Sequence, residues 1–209
     1  MKAAPWILVA ALLPSLAVHA DVQALPRVDP SQLHGTWYEM ARLPHNADAP
    51  CTSDATAHYA AQADGSFAVT TSCRTASGRL ETDVGRAWPK DGDPRNAARM
   101  KVSFLPRWLQ WLPVRRSEWW VVMLDPANQY AVVSEPEGRR LRVLARTPAL
   151  PPEQLGRIAD RLAAQGFPAR TLVLTKHSAV LREMDWEPGA PFRARPRLIV
   201  RQDAAGPAA

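Results

Sequence analysis

The sequence predicts an all-β fold: an eight-stranded antiparallel up-and-down β-barrel with one C-terminal α-helix packed outside it. Three observations predict this. Short strand-like runs follow one another with turn chemistry between them, only one stretch has helical spacing, and the connections are short. Short connections favour antiparallel neighbours, and a long meander removes its exposed edges by closing on itself.

The strands are read in order over residues 36–43, 56–63, 66–75, 79–88, 99–105, 118–124, 129–135 and 141–146. Asp64-Gly65 separates the second from the third, and Ser77-Gly78 the third from the fourth. Asp91-Gly92-Asp93-Pro94 precedes the fifth, Asp125-Pro126-Ala127-Asn128 precedes the seventh, and Pro136-Glu137-Gly138 precedes the eighth. Glycine supplies positive φ in such turns, and Asp or Asn bonds its own backbone. The helix is read from Leu155, Ile158, Ala159 and Leu162, spaced i, i+3, i+4, i+7, with Pro152 suited to its first turn and Gly166 to its end. An apolar run at 171–176 could add a ninth strand.

The two ends of the chain read differently. Lys2, the apolar stretch from Trp6 to Val18 and the small-x-small pattern Val18-His19-Ala20 predict a signal peptide over 1–20. The barrel with its helix is expected over 21–177, and a flexible tail, broken by Pro188, Pro191 and Pro196, over 178–209. No later stretch reaches the roughly 18 apolar residues of a spanning helix. No Cys stands at the cleavage point to take a lipid anchor. The expectation is a soluble, unanchored protein of the periplasm or exterior. Cys51 and Cys73 are the only cysteines, and an oxidising compartment would let them pair; the alternative is two buried thiols.

Composition excludes little by itself. The formal charge is +6, but the arginines are spread through nearly every segment, which fits a solvated surface better than a nucleic-acid stripe. No Gly-rich phosphate loop and no Gly-x-Ser-x-Gly elbow is present, and the five histidines are isolated, without metal-ligand spacing. No cofactor or metal is expected.

Gly35-x-Trp37 opens the first strand, Asp125-Pro126 lies between the sixth and seventh, and Arg146-Thr147-Pro148 ends the eighth. With these three motifs in order and a helix after them, the chain resembles the lipocalin family. Residues 36–42, Lys101-Val102-Ser103-Phe104 and 144–148 are similar to its bacterial branch, with apolipoprotein D-like and plant temperature-induced members. The resemblance runs from about Leu33 to His177. It implies that Trp37 closes the barrel floor beside Gly35 and that Arg146 lies across the indole. A guanidinium on an indole gains a cation–π contact and keeps its donors for nearby carbonyls. It also implies a binding protein for a small apolar ligand, most simply a fatty acid or lysophospholipid, with a role in envelope lipid storage or transport.

Alternation along each strand then assigns the interior. With Trp37 inward, Glu39 and Ala41 follow. Ala55, Ala57, Tyr59 and Ala61 are expected inward from the second strand, Phe67, Val69 and Thr71 from the third, and Met100, Val102 and Phe104 from the fifth. With Arg146 inward, Leu144 and Arg142 follow. The expected ligand contacts are Ala57, Tyr59, Val69, Thr71, Val102, Phe104, Arg142 and Leu144. Arg142 is a cation in an apolar cup and needs a counter-charge: the acidic head of a lipid, or Glu118 or Glu135. The segment 105–116 is apolar, aromatic and basic together, so Trp108, Leu109, Trp111 and Leu112 are expected to touch membrane, with a barrel lid or a homodimer patch as alternatives. Two other functions stay open: an enzyme on the same fold, using Glu39 or Tyr59, and a protein-binding envelope component with a filled barrel. Glu39 is expected to bond backbone or Arg146.

Overall fold

A computed structural model describes residues 22–45, 50–109 and 116–178. The expected signal peptide, Trp111, Leu112 and all of the expected tail beyond Ser178 lie outside the described residues.

Eight strands form the barrel: β1 Gly35–Arg42, β2 Ser53–Ala61, β3 Phe67–Arg74, β4 Leu80–Pro89, β5 Arg99–Ser103, β6 Arg116–Leu124, β7 Tyr130–Ser134 and β8 Leu141–Ala145. Each pairs antiparallel with the next. The ring closes because β1 pairs with β2 on one side and with β8 on the other. The turns sit where the sequence places them; Gly65 and Gly78 hold φ of +77° and +79°, and Asn128 holds +59° in the Asp125–Asn128 turn.

Helix α2, Pro152–Ala164, buries Leu155, Ile158, Ala159 and Leu162 as its periodicity requires. They pack on the outer face of the barrel, in one cluster with Val132, Val143 and Ala145. Removing each of the leucine, isoleucine and valine side chains from water contributes about 1.5–3 kcal/mol, and each alanine less. A ninth strand, β9, is only Val173–Leu174 and adds to β1 at Ala41 and Arg42, beyond the point where β2 has diverged.

One element escapes the sequence reading: helix α1, Pro30–Leu33, just ahead of β1. Its signal is present. Asp29 accepts from the Ser31 backbone N–H, Gln32 reaches back to the Asp29 N–H, and Pro30 fills the first position, a capping box.

The registers define two ends. Gly35, Tyr59, Phe67, Pro89, Met100, Leu124, Tyr130 and Ala145 gather at one end, the floor. Arg42, Ser53, Arg74, Leu80, Ser103, Arg116, Ser134 and Leu141 gather at the other, the rim. The rim is stitched on one side. Cys51 and Cys73 form a disulfide, with Cα atoms 5.5 Å apart. The segment after β9 straps the gap between β1 and β2: Lys176 bridges Ser53, and Ser178 bonds the Asp54 carboxylate through both its N–H and its hydroxyl.

Candidate functional site

The floor is built from local sequence. Gly35 takes φ +95°, a left-handed conformation that turns α1 into β1 and leaves no Cβ facing Arg146, whose Nη1 would lie 3.4 Å away. Trp37 is fully buried, and its Nε1 donates to the Leu33 carbonyl at 2.9 Å. The Arg146 guanidinium lies 3.6 Å from the centre of the Trp37 ring. Its nitrogens donate to the carbonyls of Gln32 (2.6 Å), His34 (2.9 Å), Thr36 (3.2 Å) and Asn128 (3.4 Å). The carbonyls at the end of a helix lack intrahelical partners, and here Trp37 and Arg146 supply them.

Above the floor the barrel is apolar and nearly full. Trp37, Tyr59, Met100, Val102, Trp119 and Leu144 help to bound a void of about 20 Å³. That suffices for about one water molecule and falls far below the roughly 300 Å³ at which small-ligand pockets begin.

A polar cluster sits between this void and the rim. Glu39 is buried, and its Oε1 accepts from Arg42 Nη1 at 2.8 Å and from the Thr175 hydroxyl at 2.7 Å. Its Oε2 lies 3.3 Å from Arg142 Nη1. Arg42 also donates to the Cys51 carbonyl, so the cluster joins β1 to the disulfide. Arg140 and Arg142 stand 5.2 Å and 5.5 Å from the Trp119 ring centre, a distance at which a cation still feels the π face. Burial pushes the Tyr59 phenol above its ordinary pKa, and the nearby Arg142 charge pulls only weakly the other way.

Residues 28–177 match the family model described as a lipocalin-like domain. The chain belongs to the lipocalin-like family. This lipocalin is similar to temperature-induced lipocalin-1 of Arabidopsis thaliana, at 26% identity over 171 residues, covering 80% of the chain and 89% of the plant protein. It is also similar to the outer membrane lipoprotein Blc of Citrobacter freundii, at 28% identity over 156 residues, covering 74% of the chain and 82% of that protein. In fold it matches insecticyanin from the tobacco hornworm Manduca sexta with a TM-score of 0.58 at 17% identity, covering 76% of this chain and 85% of that one. The cockroach allergen Per a 4 also gives 0.58, at 16% identity, covering 78% and 98%.

Against the lipocalin floor, the expected ligand contacts divide. Tyr59, Val102 and Leu144 border the void. Ala57 and Val69 are buried but lie behind that boundary, in the packed wall, and Thr71 is half-buried between Ala57 and Asp83. Phe104 does not border the void. Strand β5 ends at Ser103, but the Phe104 ring still lies on the inner face, where a Cβ on Gly85, the partner of inward Val69, would meet it at 2.7 Å; at 45% exposure it sits at the mouth. Ala61 is exposed because it pairs with Phe67 at the very end of β2.

Ala41 is a second correction, with a clear cause. The β1–β8 register shifts between Glu39 and Ala41, a bulge that inserts one residue. Beyond it the alternation changes phase: Met40 and Ala41 both join the cluster under α2, and Arg42 turns inward beside Arg142. The same shift explains the partner of Arg142. It is Glu39, neither Glu118, which pairs with Lys90, nor Glu135, which pairs with Arg140. Glu39 likewise does not reach Arg146. Arg42, Thr175 and the disulfide-borne carbonyl of Cys51 were missed as site residues, and no one-dimensional pattern marks a bulge at Met40.

At the rim, Trp108 is 73% exposed in a 3₁₀ turn over Arg107–Leu109, and Leu109 is half-buried. Leu80 and Val84 on the outer face of β4 are 59% and 67% exposed.

Proposed function

We propose that this lipocalin binds a slender apolar ligand with an acidic head, a fatty acid or lysophospholipid, with its chain in the barrel and its head at Arg142. One observation carries the reading. Between the apolar void and the rim, two guanidinium groups, Arg42 and Arg142, converge on one buried carboxylate, Glu39. A guanidinium has five N–H donors, so Arg142 can keep Glu39 and still serve a ligand oxygen. The 20 Å³ void sets the cost: entry requires side chains to give way, and Trp119, half-buried under two arginines, is the group placed to move.

The protein is read as a carrier rather than an enzyme. Glu39, the best acid–base candidate, is held by three partners, and the Tyr59 phenol is harder to ionise than usual. The disulfide supports an exported setting, periplasmic or secreted, where envelope lipid storage or transport is the fitting role. Exposed Trp108, with Trp111 and Leu112 following it, supports membrane contact at the rim during loading.

Native mass spectrometry of protein purified without detergent, followed by titration with palmitate and with lysophosphatidylcholine while Trp emission is read, tests this. Retained or titrated lipid and a Trp119-dependent emission change are expected. Arg142→Ala should weaken palmitate at least tenfold, since a charge-assisted bond contributes about 1.5–3 kcal/mol. Unchanged affinity in Arg142→Ala sinks the role of Arg142. A barrel that neither retains nor takes up lipid favours the second reading, a protein-binding envelope component with a filled barrel, for which the small void is the supporting observation.

A further inference from the structure

An opening larger than the void inside the barrel lies outside it. A groove of about 410 Å³ lies where the C-terminal end of α2 meets the outer face of β6 and β7. Leu25, Val122, Met123, Leu124 and Ala164 make it apolar. Three polar groups border it: the Tyr130 hydroxyl, the Arg161 guanidinium and the Gln165 amide. Its volume falls in the range of small-ligand sites, whereas the interior void does not.

The charge at the groove names the occupant. Arg161 Nη1 makes one long bond, 3.5 Å to the Tyr130 oxygen, and no carboxylate among the described residues lies within 4 Å of it. Tyr130 accepts that bond, so its own proton remains available for donation. The Gln165 side chain makes no hydrogen bond to the described residues, although its backbone N–H caps the helix. Three donors therefore border one apolar trough. The negative end of the α2 dipole opposes an anion here, but its last carbonyls are already capped by the N–H groups of Gln165, Gly166 and Phe167. A full guanidinium charge outweighs about half a charge spread over those carbonyls.

We infer that this groove is a second binding site, for a small amphiphile with an anionic carboxylate head: the head on Arg161, Tyr130 and Gln165, the chain on Val122 and Met123. Val122, Met123 and Tyr130 belong to the outer cluster under α2, whereas Leu25 and Leu124 at the groove's edge pack toward the barrel interior.

Dodecanoate titrated into uniformly 15N-labelled protein tests it, read at the backbone amides of Leu162–Gln165, which face away from the barrel interior. Saturating shifts at these amides are expected. Arg161→Gln should weaken the effect about tenfold, in line with loss of a charge-assisted bond. Dodecan-1-ol should bind at least tenfold more weakly than dodecanoate. Ala164→Trp, at an exposed position that fills the groove, should abolish the shifts while thermal unfolding stays near that of the parent. The inference is overturned if those amides do not move at millimolar dodecanoate. It is equally overturned if Ala164→Trp leaves the shifts intact, or if the alcohol binds as well as the acid. A barrel that binds palmitate while these amides stay still rejects the groove alone.

Discussion

The two ends of the barrel solve the same problem in opposite ways. At the floor, a large aromatic side chain is sealed: Trp37 has no solvent exposure, and one arginine both covers its ring and satisfies four carbonyls. At the rim, aromatic and aliphatic side chains are left in water: Trp108 at 73%, Val84 at 67%, Leu80 at 59% and Phe104 at 45%. The floor contacts are short-range and cooperative, so it acts as a rigid plug. The rim is held by one disulfide and one strap on its β1–β3 side, while its β4–β6 side carries the exposed apolar groups. A sealed end and an end that leaves apolar side chains in water is the division that the proposed carrier role requires.

The largest expected effect is at the floor. Trp37→Ala should destabilise the protein by about 3–5 kcal/mol, the cost of emptying a fully buried aromatic site, as measured by urea unfolding. A loss under 1 kcal/mol would mean that the floor is not the plug described here. Reducing the Cys51–Cys73 bond should follow, at about 3 kcal/mol for a closure of this length, read as a lower midpoint in the presence of reductant. It should also loosen the rim, so proteolysis near residues 43–52 should accelerate more than cleavage near the floor.

Gly85→Ala probes the exposed side of the rim. A Cβ there would lie 2.6 Å from the Ser103 carbonyl, which is backbone and cannot swing away. Overpacking of this kind costs about 1–3 kcal/mol, and calorimetry should show it. A silent substitution would show that β4 and the Ser103–Phe104 corner separate freely.

Acid should release the strap before it disturbs the floor. Burial works to raise the Asp54 carboxyl, but the Ser178 hydroxyl and N–H, with Ser53 and His177, outweigh it and hold its pKa below the ordinary value. A depressed folded pKa means that the contribution is fully present above about pH 4 and fades as the pH falls below that. Protection of the Ser178 amide, relative to its intrinsic exchange rate at each pH, should therefore fall below about pH 4 in the parent and be low throughout in Asp54→Asn. The smallest effect is expected at Trp108. Trp108→Ser should change stability by less than about 0.5 kcal/mol, because the side chain is already in water, while reducing co-sedimentation with anionic liposomes. Equal sedimentation would remove Trp108 from the proposed membrane contact.

The strands and α2 were legible because each is announced locally. Turn residues such as Asp64-Gly65 and Asp125–Asn128 act over four residues, and Leu155, Ile158, Ala159 and Leu162 declare one face of one helix. The floor was legible through the resemblance to the lipocalin family, whose motifs hold Gly35, Trp37 and Arg146. The polar site was legible only in part. Alternation brought Glu39 and Arg142 inward, yet it also brought in Ala41, which the bulge at Met40 puts elsewhere.

By itself the sequence determined the number and order of the barrel strands, the antiparallel ring and the helix on its outside, because these depend on short-range turn chemistry and on hydrophobic period, while the plug was read from the family resemblance. Only the tertiary structure decided that Arg142 pairs with Glu39, that Arg42, Thr175 and the Cys51 carbonyl complete that cluster, and how little space the barrel encloses. Those outcomes depend on where one extra residue is inserted in β1 and on how side chains from eight strands fill a shared volume. Neither quantity is written in any single stretch of the chain.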